Sequence, residues 1–415
     1  MQGLFHFIKS NARWLLGGLL LTLFSSFGQT FFIAQFNKPI RETFGLSDGQ
    51  FGMLYMAATL ASAATLVFLG RALDRFPISK IALLVIVCLA AACLGMSMVN
   101  SIVMLVIVLY CLRLFGQGMM THTSQTAMGK WFSAHRGRAI SLTTPGHQIG
   151  EAVLPTAVIA LVAWVGWRQT WLWAGVCLAA VALPAIVLLM KVERTPQNPD
   201  FKDPSKNRFA VRDWRVGEAI ADPTFWILML GVVAPAFIGT AIFFQQDHIV
   251  EIKGWDPKLF AASFVCLAAT TVISTLLGGW LVDRFSSKVL LPTFLLPMGI
   301  GSLTLGCSSE SWVIVVFMGL LGCSYGAAKT LSGTIWPETY GTKHLGSIRA
   351  ITSAANVFAS ALGPGLTGLG IDLKIDFHWQ LIAMGVYCVL VSALMLVAAR
   401  NLINRDASIG KLNVE

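Results

Sequence analysis

Apolar residues run along this chain in blocks of about 20, the length a helix needs to cross ~30 Å of hydrocarbon, and polar residues gather between the blocks. The stretch 102–111 is apolar throughout and lacks the polar stripe of a soluble amphipathic helix. Twelve such blocks lie near 14–36, 50–70, 80–98, 102–125, 139–162, 169–190, 223–247, 258–280, 289–306, 312–333, 347–370 and 378–400. The pattern predicts an all-α membrane protein with twelve transmembrane helices. The longest polar segment, 191–222, holds Pro196, Pro199 and Pro204 among mixed charges. It reads as a linker, with a surface helix near 211–220, between a six-helix bundle over 1–190 and a second over 223–415.

Composition supports lipid as the solvent. Of the 415 residues, 56% are hydrophobic and 12% charged, too little charge to cover a soluble domain of this size. The net charge of +10 does not call for nucleic acid, because it is distributed by side of the membrane. With the N-terminus inside, only Lys38, Arg41, Arg168, Lys253, Lys258 and Lys374 fall on the outer side, and Arg113 and Lys329 fall within spans. All other Lys and Arg residues are cytoplasmic. This positive-inside asymmetry places both termini in the cytoplasm of an inner-membrane protein. The first block is too long for a signal-peptide core, so no cleaved leader is expected.

The eight cysteines (Cys88, Cys93, Cys111, Cys177, Cys266, Cys307, Cys323, Cys388) show no disulfide or metal-ligand spacing. The sequence has no Gly-rich phosphate loop, no His/Cys cluster and no Gly-x-Ser-x-Gly elbow. Neither an enzyme nor an ATP-driven pump is expected, and no cofactor or metal is implied.

The halves repeat at a constant offset of 209 residues. Gly70, Asp74 and Arg75 recur as Gly279, Asp283 and Arg284; His135 and Gly137 recur as His344 and Gly346; Pro155 recurs as Pro364. Six spans separate the copies, so both halves run the same way through the bilayer. That is a parallel repeat about a pseudo-two-fold axis along the membrane normal.

These repeated residues carry a family resemblance. The loop from Gly70 through Asp74 and Arg75 to Lys80 resembles the signature loop of the major facilitator superfamily, and the loop from Gly279 to Lys288 resembles its second copy. Arg113, Gly116 and Gly118 are similar to the family's pattern in the fourth span, and Lys130 to Arg138 to its loop into the fifth. The resemblance implies a monomeric secondary transporter that moves a small molecule across the lipid bilayer by alternating access. It also implies that Gly70, Asp74, Arg75, Gly279, Asp283 and Arg284 gate the cytoplasmic side. In this reading glycine 70 lets two helices approach closely.

Ionisable residues at membrane depth cost at least ~2.5 kcal/mol each and are functional candidates by default. Arg113 and Glu151 both lie near the midplane of their spans and are placed to meet. An arginine there suits a carboxylate, which it can hold with two parallel hydrogen bonds. A glutamate beside it can exchange a proton and couple proton to substrate movement; a permanent buried ion pair is the bland alternative. His147, one turn before Glu151, is a second proton-coupling candidate. Gln117, Gln29, Tyr325, Lys329 and Asn356 complete the candidate substrate ligands. Thr144, Pro145, Gly146 and Pro155 are expected to interrupt the fifth span, and Gly363, Pro364 and Gly365 the eleventh.

The segments 36–45 and 131–155 are similar to those of bacterial monocarboxylate and oxalate/formate-type carriers. This chain departs from them in having no cation in the eighth span beyond Lys258 at its end, which makes Arg113 the main anion candidate. The expectation is a proton-linked carrier of a small organic anion. Efflux of a hydrophobic or cationic compound, with Glu151 as its site, is the rival within transport. A transporter-like nutrient sensor is the rival outside it.

Overall fold

The computed structural model describes residues 2–70, 72–132, 136–192, 194, 213–341 and 344–412. The chain divides into two compact units, Met1–Asp203 and Pro204–Glu415. Among the described residues every regular element is helical. His135 and most of the expected linker lie outside the described residues. Of the surface helix expected near 211–220, the structure shows Val216–Ala221.

The first unit contains a bent pair, His6–Gly28 with Thr30–Phe44, followed by Asp48–Leu69, Ile78–Ser97, Ile102–Trp131, Arg138–Val165 and Trp167–Met190. The second contains Pro223–Phe244, Pro257–Val282, Leu296–Cys307, Val313–Tyr340, Ile351–Asp372 and Phe377–Arg405. Ten of these helices are long and apolar enough to cross a bilayer, the bent pair makes an eleventh, and Leu296–Cys307 is a shorter apolar helix. Helices satisfy their own backbone groups, which is what hydrocarbon demands.

Two expectations need correction. The ninth block, 289–306, is not one continuous helix: a short helix, Ser287–Leu290, ends before Pro292, and Leu296–Cys307 begins with Pro297 in its first turn. Pro292 has no N–H to give the preceding turn, whereas a proline in the first turn costs nothing.

The fifth span is interrupted at Thr144, where Arg136–Thr143 ends and Pro145–Val165 begins, but Pro155 and Pro364 do not break their helices. Arg138–Val165 and Ile351–Asp372 run through Pro155 and Pro364. Pro364 removes the donor for the carbonyl of Ser360, and the Thr240 hydroxyl supplies a replacement at 3.0 Å. A further break falls in the first span, where the axis turns by 43° at Gln29. Thr22 and Ser25 there turn their hydroxyls onto nearby backbone carbonyls, Ser25 onto Thr22 at 2.7 Å, and residues Ser25–Gly28 tighten into a 3₁₀ turn. Gln29 then leaves helical geometry, with φ −84° and ψ 154°.

At one end of the second unit Asp222 joins three elements. Its carboxylate caps Pro223–Phe244 through the Thr224 amide, pairs with Arg405 at 2.9 Å and accepts from the Tyr340 hydroxyl at 3.2 Å. Arg405 also stacks on Trp214, 5.0 Å from its ring centroid. Burial pushes the Asp222 carboxyl up, but the Thr224 amide and Arg405 outweigh it and hold the group below the usual carboxylate range.

Candidate functional site

In the first unit the site is built where the broken first span meets the fourth. The fourth span winds as an α-helix over Ile102–Cys111, as a π-helix over Leu112–Met120, and as an α-helix again over Thr121–Trp131. π-Turns are rare and concentrate at functional sites. Gly116 lies in this segment and touches Gly28 at the break.

Arg113 is 1% exposed and opens the same π-segment. Its Nη1 donates to the Gly28 carbonyl and to Thr30 Oγ1, each at 3.2 Å. Its guanidinium carbon lies 5.2 Å from the centroid of the Tyr55 ring. Tyr55, fully buried in Asp48–Leu69, donates its hydroxyl to Thr30 Oγ1 at 2.9 Å. Nε and Nη2 of Arg113 are buried and meet no acceptor among the described residues. A buried charged donor left unsatisfied costs several kcal/mol, so an acceptor that reached this edge would be bound favourably.

Glu151 is 4% exposed on the fifth span, with His147 one turn earlier on the same face. The His147 ring meets Phe31 edge-on at 5.6 Å. Arg113 makes no hydrogen bond or ion pair with Glu151 among the described residues: its Nη1 goes to Gly28 and Thr30, and its Nε and Nη2 have no partner there. The fourth and fifth spans each pack closely against the first: Gly28 takes Gly116 of the fourth span, and Ser26 takes Gly150 of the fifth. Gln29 is buried at the break, and Gln117 is half-buried on the π-segment.

The 209-residue repeat gives a comparison inside the chain. At that offset Arg113 corresponds to Gly322 and Gln117 to Gly326. A Cβ on Gly322 would stand 2.5 Å from the Leu267 carbonyl oxygen, and one on Gly326 2.5 Å from that of Thr271. The second unit packs its helices closed at the place where the first holds a charge, so the fold does not require a cation there.

The second unit has a site of its own. A cavity of about 410 Å³ is lined by Val232, Pro235 and Ala236 of the seventh span, Tyr325, Lys329 and Ser332 of the tenth, and Asn356 of the eleventh. Tyr325, Lys329 and Ser332 lie three or four residues apart and so share a helix face. Lys329 is exposed, while Asn356 Nδ2 is held by the Thr352 carbonyl at 3.0 Å.

The signature loops differ from each other. Gly70 approaches the fourth span, since a Cβ there would lie 3.2 Å from His122 Nε2. Gly279 has nothing within 4 Å, so the close-packing reason for glycine does not extend to the second copy. Arg284 lies over Trp280 and Phe285, each at 5.4 Å, and makes no ion pair among the described residues. The side chains of Asp74, Arg75 and Asp283 lie outside the described residues.

Four site residues escape a reading of the sequence. Thr30 and Tyr55 are 25 residues apart and meet only through the break; a tyrosine hydroxyl in an apolar span is the one signal that singles out Tyr55. Lys130 Nζ donates to the Leu73 carbonyl at 2.7 Å and closes the first signature loop. Glu338 does the equivalent for the second loop, accepting from Ser286 Oγ at 3.0 Å and from the amide and hydroxyl of Ser287.

Two units of long apolar helices, with charged and polar side chains gathered inside each, define a multi-pass membrane transport protein. Residues 18–265 and 236–408 match the family model of the Major Facilitator Superfamily, and the chain belongs to that family. It is 25% identical over 394 residues to the uncharacterised MFS-type transporter YcxA of Bacillus subtilis, covering 90% of this chain and 91% of that one. It is 27% identical over 288 residues to a probable sulfoacetate transporter, SauU, of Cupriavidus necator, covering 66% and 65%. In fold it is similar to a bacterial homologue of the human lysosomal transporter Spinster, with a TM-score of 0.72, 18% identity, and coverage of 95% of this chain and 98% of that one. The fold is that of a twelve-helix transporter.

Proposed function

We propose that this transporter carries a small organic anion, a carboxylate, across the inner membrane by alternating access, coupled to protons. The observation that carries the proposal is the buried Nε–Nη2 edge of Arg113, which has no acceptor among the described residues. A carboxylate satisfies that edge with two charge-assisted hydrogen bonds and neutralises the charge. One relative is described as a probable sulfoacetate transporter, and sulfoacetate is an organic anion, which supports the same class here. Glu151, with His147 on its helix face, is the proton-coupling group in this reading. Lys329, Tyr325 and Asn356 are further ligand candidates in the cavity of the second unit. In this reading both termini are cytoplasmic, which the charge asymmetry supports.

A buried arginine disfavours efflux of a cation, because like charge in a low-dielectric site repels it. The experiment is uptake into proteoliposomes of a panel of carboxylates, sulfonates, phosphate esters, sugars and cationic drugs, with and without an imposed pH gradient. Accumulation of a carboxylate that depends on the gradient and vanishes in Arg113→Gln is the expected result. Accumulation of a cation, or anion uptake indifferent to Arg113→Gln, overturns it.

A further inference from the structure

Arginine has five N–H donors in a rigid plane, and what holds one edge decides which edge remains. Here Nη1 is committed to the Gly28 carbonyl and to Thr30 Oγ1, and one face of the plane is covered by the Tyr55 ring. The edge left over is Nε–Nη2, whose two N–H bonds run parallel and match the two oxygens of a carboxylate. Thr30 Oγ1 accepts from both Arg113 and Tyr55, so its own hydroxyl proton is still available to a third partner.

Resting on the reading of Arg113 as the anion ligand, we propose that Thr30 and Tyr55 are positioning residues that aim its side-on edge at the substrate carboxylate, with the Thr30 hydroxyl as a third donor. The alternative role, a cap on the broken first span, needs only Nη1. It gives no reason for the buried Nε and Nη2 to stand without acceptors among the described residues. The break at Gln29 is part of the device: it frees the Gly28 carbonyl from the helix ladder and turns Thr30 towards the fourth span. Orientation is thus fixed before the anion arrives, which reduces the ordering cost of binding.

The test uses the full-length protein in detergent and acetate as the minimal carboxylate, with acetamide, methanesulfonate and chloride at equal concentration and ionic strength. A ligand that binds only the native state raises its melting temperature, and the dependence on concentration gives the dissociation constant. Acetate raises the melting temperature of the wild type more than the three controls do, and Arg113→Gln abolishes the difference. Thr30→Val and Tyr55→Phe weaken acetate about five- to tenfold, the usual effect of removing one hydrogen bond, while Thr30→Ser, which keeps the hydroxyl, stays near wild type. The readout is the shift caused by acetate, so a general loss of stability in a variant does not imitate it. If Arg113→Gln removes the acetate effect but Thr30→Val and Tyr55→Phe bind normally, the positioning role is wrong and the anion site stands. If acetate acts no differently from the controls on the wild type, both fall.

Discussion

Gly28 and Gly116 leave each other no room: a Cβ on Gly28 would lie 2.6 Å from the Gly116 Cα, and one on Gly116 2.5 Å from the Gly28 Cα. The break in the first span and the π-segment of the fourth are therefore in direct backbone contact. Alanine at either position forces the two apart. Overpacking of this kind typically costs ~1–3 kcal/mol, and for a protein of 415 residues that corresponds to a melting temperature lower by about 1–3 °C. Differential scanning fluorimetry of Gly28→Ala and Gly116→Ala in detergent checks this. The same substitution at Gly279, which has open space around it, should change the melting temperature by less than about 1 °C.

Arg113→Lys is a sharper probe of chemistry than Arg113→Gln. Lysine keeps the charge and loses the planar fork. Removing charge-assisted hydrogen bonds costs ~1.5–3 kcal/mol, so KM for the transported carboxylate should rise about tenfold or more in Arg113→Lys. Initial-rate uptake over a range of substrate concentrations measures it, and an unchanged KM would remove the bidentate contact from the mechanism.

Glu151 carries the coupling in the proposed cycle, and among the described residues no ion pair with Arg113 locks it in one protonation state. In Glu151→Gln the substrate should still equilibrate across the membrane but should not accumulate against its gradient when the outside is made acidic. Counterflow that survives together with lost acid-driven accumulation is the expected signature. Full acid-driven accumulation in this variant would exclude Glu151 as the coupling group.

Asp222 makes a prediction about stability and pH. Its folded carboxyl titrates below the usual range, so the stabilisation it gives is complete above the unfolded value of ~3.9 and is lost as pH falls through the lower folded value. Melting temperature should drop on acidification below about pH 4, and Asp222→Asn should flatten that drop. At neutral pH the variant should melt about 1 °C lower, the effect of roughly 1 kcal/mol on a chain of this length. Melting curves between pH 3 and pH 7 (roughly the range over which carboxylates titrate) compare the two.

Hydropathy alone made the spans legible, because hydrocarbon leaves the backbone no alternative to the helix. The repeat was legible through Gly70, Asp74 and Arg75, whose order recurs 209 residues on. Arg113 and Glu151 announced themselves through the cost of burying charge. The lack of an ion pair between them among the described residues did not, since depth in a span fixes height and not azimuth, and the π-turn at Leu112–Met120 shifts azimuth without a sequence signature. The break at Gln29 was hidden for a related reason. Prolines draw attention to Pro155 and Pro364, yet Thr240 repairs one of those helices, and Ser25 and Thr22 quietly loosen another. Side-chain hydroxyls acting on backbone carbonyls decide these places, and their partners are set by packing.

The nine-residue π-segment gives the fourth span a phase as well as a length. A π-helix spaces its hydrogen bonds one residue wider than an α-helix, so Leu112–Met120 holds about one residue more than α-helical winding would use. Deleting Phe115 would let the segment rewind as a plain α-helix, and the span would still cross the bilayer. The α-helical flanks, Ile102–Cys111 and Thr121–Trp131, would keep nearly their present phase, while the residues inside the segment, Arg113 included, would be re-aimed as the wider turns close. Hydropathy would score such a shortened chain as the same protein, while its charge faced a different neighbour.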